Sequence, residues 1–339
     1  DNVGNVIIKK PATTGMENRK AIVMQGHLDM VHQKNADTIF DFDKEGIKMF
    51  IDGDWVKAKG TTLGADNGLG VAAIMAVLSS SNLPHPAIEA LFTVDEETGM
   101  TGAMGLEGGI LKGEILLNLD TEEDDEIGIG CAGGVDVTAT RNYKEENITS
   151  NITGYSIAVT GLNGGHSGMD ISRGLGNANK IMNRILFDGN IKYGLRISEI
   201  NGGSLRNAIP RESFGKIIID TAKKALFLSE SNTLIKCIKE EFATLEPDLS
   251  IDIQEIETPK QVMEVGAQEK FIKTIYAALN GVYRMSPDVY GLVETSNNIA
   301  RVIVKNGNIK IGCLTRSSSE TNKWDLANSL RSCFELADF

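Results

Sequence analysis

A chain of 339 residues, 41% hydrophobic and 24% charged, has the profile of a folded globular protein and exceeds one ordinary core, so two domains are expected. With 46 acidic against 34 basic residues, the net charge of −12 argues against nucleic acid as a partner, because phosphate binding needs a basic face. No apolar run approaches the roughly 18 residues that span a bilayer, and Cys131, Cys237, Cys313 and Cys333 are scattered without a CxxC pair, so a cytoplasmic, reduced setting away from membranes is expected.

The opening DNVGNVIIKK reads as a strand rather than a signal peptide. Residues 21–25 (AIVMQ) form an apolar run fit for a buried strand, which ends at Gly26, His27, Leu28 and Asp29. The stretch ADNGLGVAAIMAVLS, which contains Asp66, reads as a helix apolar on most faces, expected to be packed on several sides. Two further strands follow, 88–94 ending in Asp95, Glu96 and Glu97, and 114–119 ending at Asp120. This alternation predicts an α/β layer with a largely parallel sheet. Beyond the glycine-rich stretch 128–134, strand patterns at 155–161, 195–200, 214–220, 249–256, 299–304 and 309–314 mix with helical ones near 174–188, 231–246, 267–280 and 320–337. They predict a second α/β domain. The fold class is therefore α/β in two domains, 1–134 and 135–339.

His27 and Asp29, Glu96 and Glu97, and Asp120 each follow directly on an apolar strand run, and open α/β sheets place their sites at the carboxyl ends of strands. Asp66 opens the apolar helix from a loop rich in Thr and Gly. Four segments can thus deliver imidazole and carboxylate to one sheet edge, a donor set that suits Zn²⁺, Mn²⁺ or Co²⁺. Each residue has a plainer reading when taken singly. His27 could be a hydrogen-bonded histidine, Asp66 a helix N-cap, residues 95–97 a solvated acidic turn and Asp120 the edge of the acidic run 121–126. Their coincidence on strand ends is what separate plain readings do not explain. A GxGxxG match at 128–133 is followed by a strand-like VDVTATRNY rather than a helix, which rules out the dinucleotide reading. P-loop and GxSxG signatures are absent, Cys131 has no His nearby in sequence, and the short N-x-T patterns at Asn147 and Asn151 carry no weight.

The stretches GHLDMV, KGTTLGADNGLGVA, VDEETGMTGAMGL, LLNLDTEE, GCAGGVD, GGHSG, GLGNANK, GGSLRNAIPRE and VETSNN together resemble the bacterial cytosol nonspecific dipeptidase family. That family sits within a metallopeptidase group that includes carboxypeptidase G, aminoacylase and succinyl-diaminopimelate desuccinylase. The resemblance implies a catalytic metal-binding domain followed by an α/β lid, with two divalent ions, Zn²⁺ first and Co²⁺ or Mn²⁺ as alternatives. It implies His27 as terminal ligand of one metal, Asp29 as the carboxylate orienting that imidazole, Asp66 as the bridging ligand, Glu96 as general base, Glu97 as ligand of the second metal and Asp120 as ligand of the first. It also implies a cis peptide at Asp66-Asn67. In the lid, His166 would reach the substrate carbonyl, and Asn207 and Arg316 would hold a substrate carboxylate, a task suited to a guanidinium fork.

The implied activity is hydrolysis of dipeptides or other short peptides. Deacylation within the same group, or an inactive fragment serving as a binding module, are the alternatives, and a homodimer is left open. The family also implies a further metal-binding His from a C-terminal segment, whereas the histidines here are His27, His32, His85 and His166. The expectation is a chain lacking that segment, with the second metal site one ligand short if nothing follows.

Overall fold

The first unit opens with β1 (Val6–Lys10) and β2 (Ile22–His27), continues through the hairpin β3 (Met49–Asp52) and β4 (Trp55–Ala58), and proceeds to α1 (Ala65–Ser79) and β5 (Ile88–Thr93). The short α2 (Thr101–Met104) and β6 (Ile115–Asn118) complete it. The computed structural model describes residues 1–35, 37–121, 127–128, 130–148 and 151–339. The acidic run at 122–126, Ile129 of the glycine-rich stretch and Thr149 of one N-x-T pattern lie outside them.

The sheet order is β1-β5-β2-β6, with β2 parallel to both β5 and β6 and β1 antiparallel to β5. The largely parallel sheet read from the alternation of elements is present. β5 is buried along its whole length, as expected of a strand covered on both faces, whose sequence is a continuous rather than alternating apolar run. Met24, Ile88, Ala90 and Phe92 of the sheet meet Ile74 of α1 in a small core. The expectation that α1 is packed on several sides does not hold among the described residues: Asn67, Gly70 and Ile74 are buried, while Leu69 and Met75 are 74% and 58% exposed. A four-stranded sheet offers the helix one face only.

The second unit contains β7 (Gly133–Asn142), β8 (Glu145–Asn147), β9 (Ile152–Thr160), β10 (Gly165–His166), α3 (Ala178–Tyr193), β11 (Arg196–Gly202), β12 (Ala208–Ile209) and β13 (Ser213–Asp220). Then come α4 (Lys224–Phe242), β14 (Ser250–Ile256), β15 (Gln261–Met263), α5 (Val265–Ala277), β16 (Gly281–Met285), β17 (Val293–Lys305), β18 (Asn308–Ser317) and α6 (Glu320–Glu335). Its main sheet runs β14-β9-β13-β11-β17-β18-β7, with β16 also beside β17, and its pairings are antiparallel. Alternation explains it: Tyr155, Ile157 and Val159 of β9 and Ile309, Ile311 and Cys313 of β18 all point into one core with α3, α5 and α6. α3 starts where the Asn177 side chain accepts from the N–H groups of Asn179 and Lys180, and stops at Gly194 in the left-handed region.

The units are Asp1–Ile129 and Gly130–Phe339. The expected boundary at 134/135 would cut β7, whose first residue is Gly133. Among the described residues no helix is long and apolar enough to cross a membrane.

Candidate metal centre

β2 ends on His27, whose ring is 1% exposed. Its Nδ1 lies 2.9 Å from the main-chain oxygen of Asp29. A carbonyl can only accept, so Nδ1 carries a proton and Nε2 is the nitrogen left to titrate or to bind a cation. Nε2 lies 3.1 Å from Asp66 Oδ1 and 3.5 Å from Asp120 Oδ1. Burial works against an imidazolium here, but Asp120 and Asp66 outweigh it and hold His27 above its ordinary value.

The Asp29 carboxylate, expected on the imidazole, is 3.6 Å from Nδ1. Its firmer bonds go elsewhere. Oδ1 accepts from the Glu96 N–H at 3.1 Å and Oδ2 from the Glu97 N–H at 3.0 Å. One carboxylate at the end of β2 thus fixes the main chain of both glutamates at the end of β5. The same turn is braced by Asp95, in the left-handed region at φ 58°, whose carboxylate accepts from the Thr98 and Thr101 hydroxyls and is thereby held below the usual carboxylate range.

Asp66 is not the N-cap of α1, a position held by Gly64; it lies in the first turn with non-helical dihedrals, and the Asp66-Asn67 peptide is cis. Asn67, 4% exposed, donates through Nδ2 to the Leu119 oxygen at 2.7 Å and to Asp120 Oδ1 at 2.9 Å. Room for it comes from two glycines. A Cβ at Gly26 would meet Asn67 Oδ1 at 2.4 Å, and one at Gly70 would meet Leu119 O at 2.4 Å. Sequence reading passed over Asn67 as a functional residue. Its signal was an amide directly after a candidate ligand, set between glycines in GADNG.

His27, Asp66 and Glu97 each offer a ligand atom within 4.8 Å of the others. Glu97 Oε1 is buried with no hydrogen-bond partner, and burial, then Asp66 and Glu96, push Glu97 up to about 7. Burial first, with Asp120, Asp66 and Asp29 adding to it, also raises Glu96. Asp120 is raised by burial and by Asp66, against the pull of His27. Carboxylates crowded until they resist ionisation, one with an unsatisfied buried oxygen, beside an imidazole whose Nε2 faces Asp66 and Asp120, fit a divalent cation.

Three sequence-predicted residues lie in the second unit and converge there. β10 pairs with β12 so that His166 lies opposite Ala208, and the Ser167 N–H donates to the Asn207 oxygen at 2.7 Å. The His166 ring receives the Met169 N–H at Nδ1, 3.2 Å away, and lies 3.2 Å through Nε2 from Arg316 Nη2. Its main-chain N–H is held by Asp170 at 2.9 Å. Gly168 leaves space for the pair, since a Cβ there would lie 3.2 Å from His166 Cε1 and 3.3 Å from Arg316 Cδ. Arg316, which alone could pass for a solvated strand-end residue, is thus engaged with His166.

Strand-end carboxylates around a buried imidazole, on a mainly parallel sheet, have the make-up of a metal-dependent hydrolase centre. The model of peptidase family M20/M25/M40 matches residues 23–312, and the chain belongs to that family. It is 45% identical over 337 residues to the cytosol non-specific dipeptidase of Escherichia coli (strain K12), an alignment covering 99% of this chain and 70% of that protein. The crystal structure of aminoacylhistidine dipeptidase from Vibrio alginolyticus matches with a TM-score of 0.69 and 45% identity, covering 100% of this chain and 69% of that one. A shorter match, 32% identical over 134 residues, joins 38% of this chain to 32% of the Bacillus subtilis (strain 168) protein YqjE.

Proposed function

We propose that this peptidase hydrolyses dipeptides with the help of two divalent ions, most simply Zn²⁺, held by His27, Asp66, Glu97 and Asp120. The observation that carries the proposal is the meeting of His27, Asp66 and Glu97 ligand atoms within 4.8 Å around a buried, unpartnered Glu97 oxygen. The names of the two relatives at 45% identity point to the substrate class. Bound there, the ions would supply Lewis acidity and bring the pKa of a water towards neutrality.

The chain's own groups do the rest. Glu96, raised by burial towards the working pH, takes the proton of the attacking water and returns it to the leaving amine. His166 donates to the carbonyl oxygen as charge builds on it. Asn207 and Arg316 take the free carboxylate of the substrate, the guanidinium by a fork of two N–H donors. Recognition of that charge selects substrates whose free carboxylate lies close to the scissile bond.

Metal stoichiometry together with turnover of Ala-Ala, carnosine and N-acetyl-amino acids tests the reading. Two ions per chain and dipeptide turnover are expected. Turnover of acetyl-amino acids alone would make the protein a deacylase. No turnover with added Zn²⁺, Mn²⁺ or Co²⁺ would leave it a binding module, and a single bound ion would leave the second site one ligand short.

Asp29→Asn offers a second check. The amide keeps one acceptor for the two glutamate N–H groups and turns a donor on the other. Because base and ligand hang on the same carboxylate, metal affinity and kcat should fall together, each about tenfold or more. Atomic absorption after dialysis, beside kcat at saturating metal, reads both. A loss of kcat with unchanged affinity would confine Asp29 to the base.

A further inference from the structure

Asn298 of β17 is 1% exposed and has no part in the scheme above. Its Nδ2 donates to two main-chain oxygens at once, Arg206 O at 3.2 Å and Ala208 O at 2.7 Å. Those two carbonyls flank Asn207. The oxygen of Asn207 in turn accepts from Ser167, next to His166, and Ala208 is the ladder partner of His166. One amide therefore reaches both the residue assigned to the substrate carboxylate and the segment carrying the histidine.

The amide is itself anchored. Asn177, the N-cap of α3, directs Nδ2 towards Asn298 Oδ1 at 3.4 Å, and also towards Asn280 Oδ1 at 3.0 Å and Ile299 O at 3.1 Å. Asn280 Oδ1 accepts the Ile299 N–H at 2.9 Å, and Asn297 is bonded to Leu279 O and to Thr315. These asparagines form a buried polar network along β17 and β18, and such a network holds geometry only while its members are satisfied. Two converging carbonyls call for two N–H donors in one plane. A primary amide supplies them, a serine supplies one, and a carboxylate none.

We propose that Asn298 is a positioning residue for recognition of the substrate's free carboxylate, fixing the main chain at 206–208 so that Asn207 is presented to that group. The proposal rests on the dipeptidase reading, and the test separates the two. For the metal-loaded protein and for Asn298→Ser, Asn298→Asp and Asn207→Ala, kcat/KM is measured with Ala-Ala and with Ala-Ala carboxamide, beside Tm. In parallel, affinity is measured for a reduced-amide Ala-Ala analogue and its carboxamide, which reports on any variant too slow to assay.

The unaltered protein should prefer the free carboxylate. Asn298→Asp should lower kcat/KM for Ala-Ala by about 10- to 100-fold, the range for a lost hydrogen bond to a charged group. The loss should lie mainly in KM, with the carboxamide nearly unaffected. Asn298→Ser, keeping one donor, should fall between, and it also carries the test should the Asp variant fail to fold. Added to Asn207→Ala, it should change the preference no further, because both act through one contact. A purely structural role would depress both substrates alike and leave their ratio intact, which overturns the proposal. Equal hydrolysis of acid and carboxamide by the unaltered protein would instead overturn the dipeptidase reading.

Discussion

Glu96→Gln is expected to reduce kcat by about three orders of magnitude or more, within the range of general-base catalysis, while the metal content stays unchanged. The contrast with Glu97 gives the prediction its force. The two glutamates are consecutive, and both N–H groups are tied to Asp29. Glu97 has the buried unpartnered oxygen and joins His27 and Asp66 in the ligand cluster. Glu96 is absent from that cluster yet close enough to feel His27, Asp120 and Asp66 electrostatically. Glutamine preserves size and leaves the main-chain bonds to Asp29 in place. What it removes is the ability to take a proton. Single-turnover hydrolysis of Ala-Ala with atomic absorption on the same sample tests this. Glu97→Gln should do the reverse and shed metal first. Unimpaired turnover in Glu96→Gln would place the base elsewhere, and loss of metal in that variant would make Glu96 a ligand.

The centre was legible in the sequence to the extent that it lies on strand ends. β2, β5 and β6 lie within two residues of the runs that announced them, because a buried parallel strand is a short apolar block and the first polar residue after it marks the edge. His27, Glu96, Glu97 and Asp120 fall at those edges. Less legible was the way such residues are held. Nothing in a linear chain says that the Asp29 carboxylate prefers two amide N–H groups sixty-odd residues away to the imidazole two residues before it. Asn67 was equally hidden, since its role depends on the space left by Gly26 and Gly70. In the second unit, alternation marked the strands but could not name their neighbours. β17 pairs with β11, β16 and β18, and such pairings are set by long-range packing. The stretch TSNN is polar throughout, yet all four residues are buried in β17, where Thr295, Asn297 and Asn298 are hydrogen-bonded to partners on other segments.

Raising the pH from 5.5 to 8 should destabilise the metal-free protein and stabilise the metal-loaded one relative to it. The sign follows from the centre. Glu97 is moved from 4.5 to about 7, and Glu96 and Asp120 are also raised, so the folded state binds these protons more tightly than the unfolded chain. Stability from such groups is complete below their unfolded values and is lost as pH climbs through the folded ones. His27, raised above 6.5, works in the same direction. For Glu97 alone, about 1.4 kcal/mol per pKa unit gives about 3 kcal/mol as an upper value, since water screens a group that is only partly buried. The carboxylates held low by cationic or hydroxyl partners, among them Asp41, Glu45, Glu89, Asp95, Asp170, Glu320 and Asp338, titrate below this window and cannot reverse the trend. A divalent cation needs the deprotonated forms, so it displaces the protons, and its stabilisation grows with pH as its affinity does. Differential scanning fluorimetry with EDTA or with Zn²⁺ should therefore give curves that diverge towards pH 8. Calorimetric titration of Zn²⁺ near pH 6.5 in two buffers of different ionisation enthalpy should show proton release on binding. If Tm of the metal-free protein rises across the window and no proton is released, the carboxylates around His27 are already ionised and the crowded centre described here is wrong.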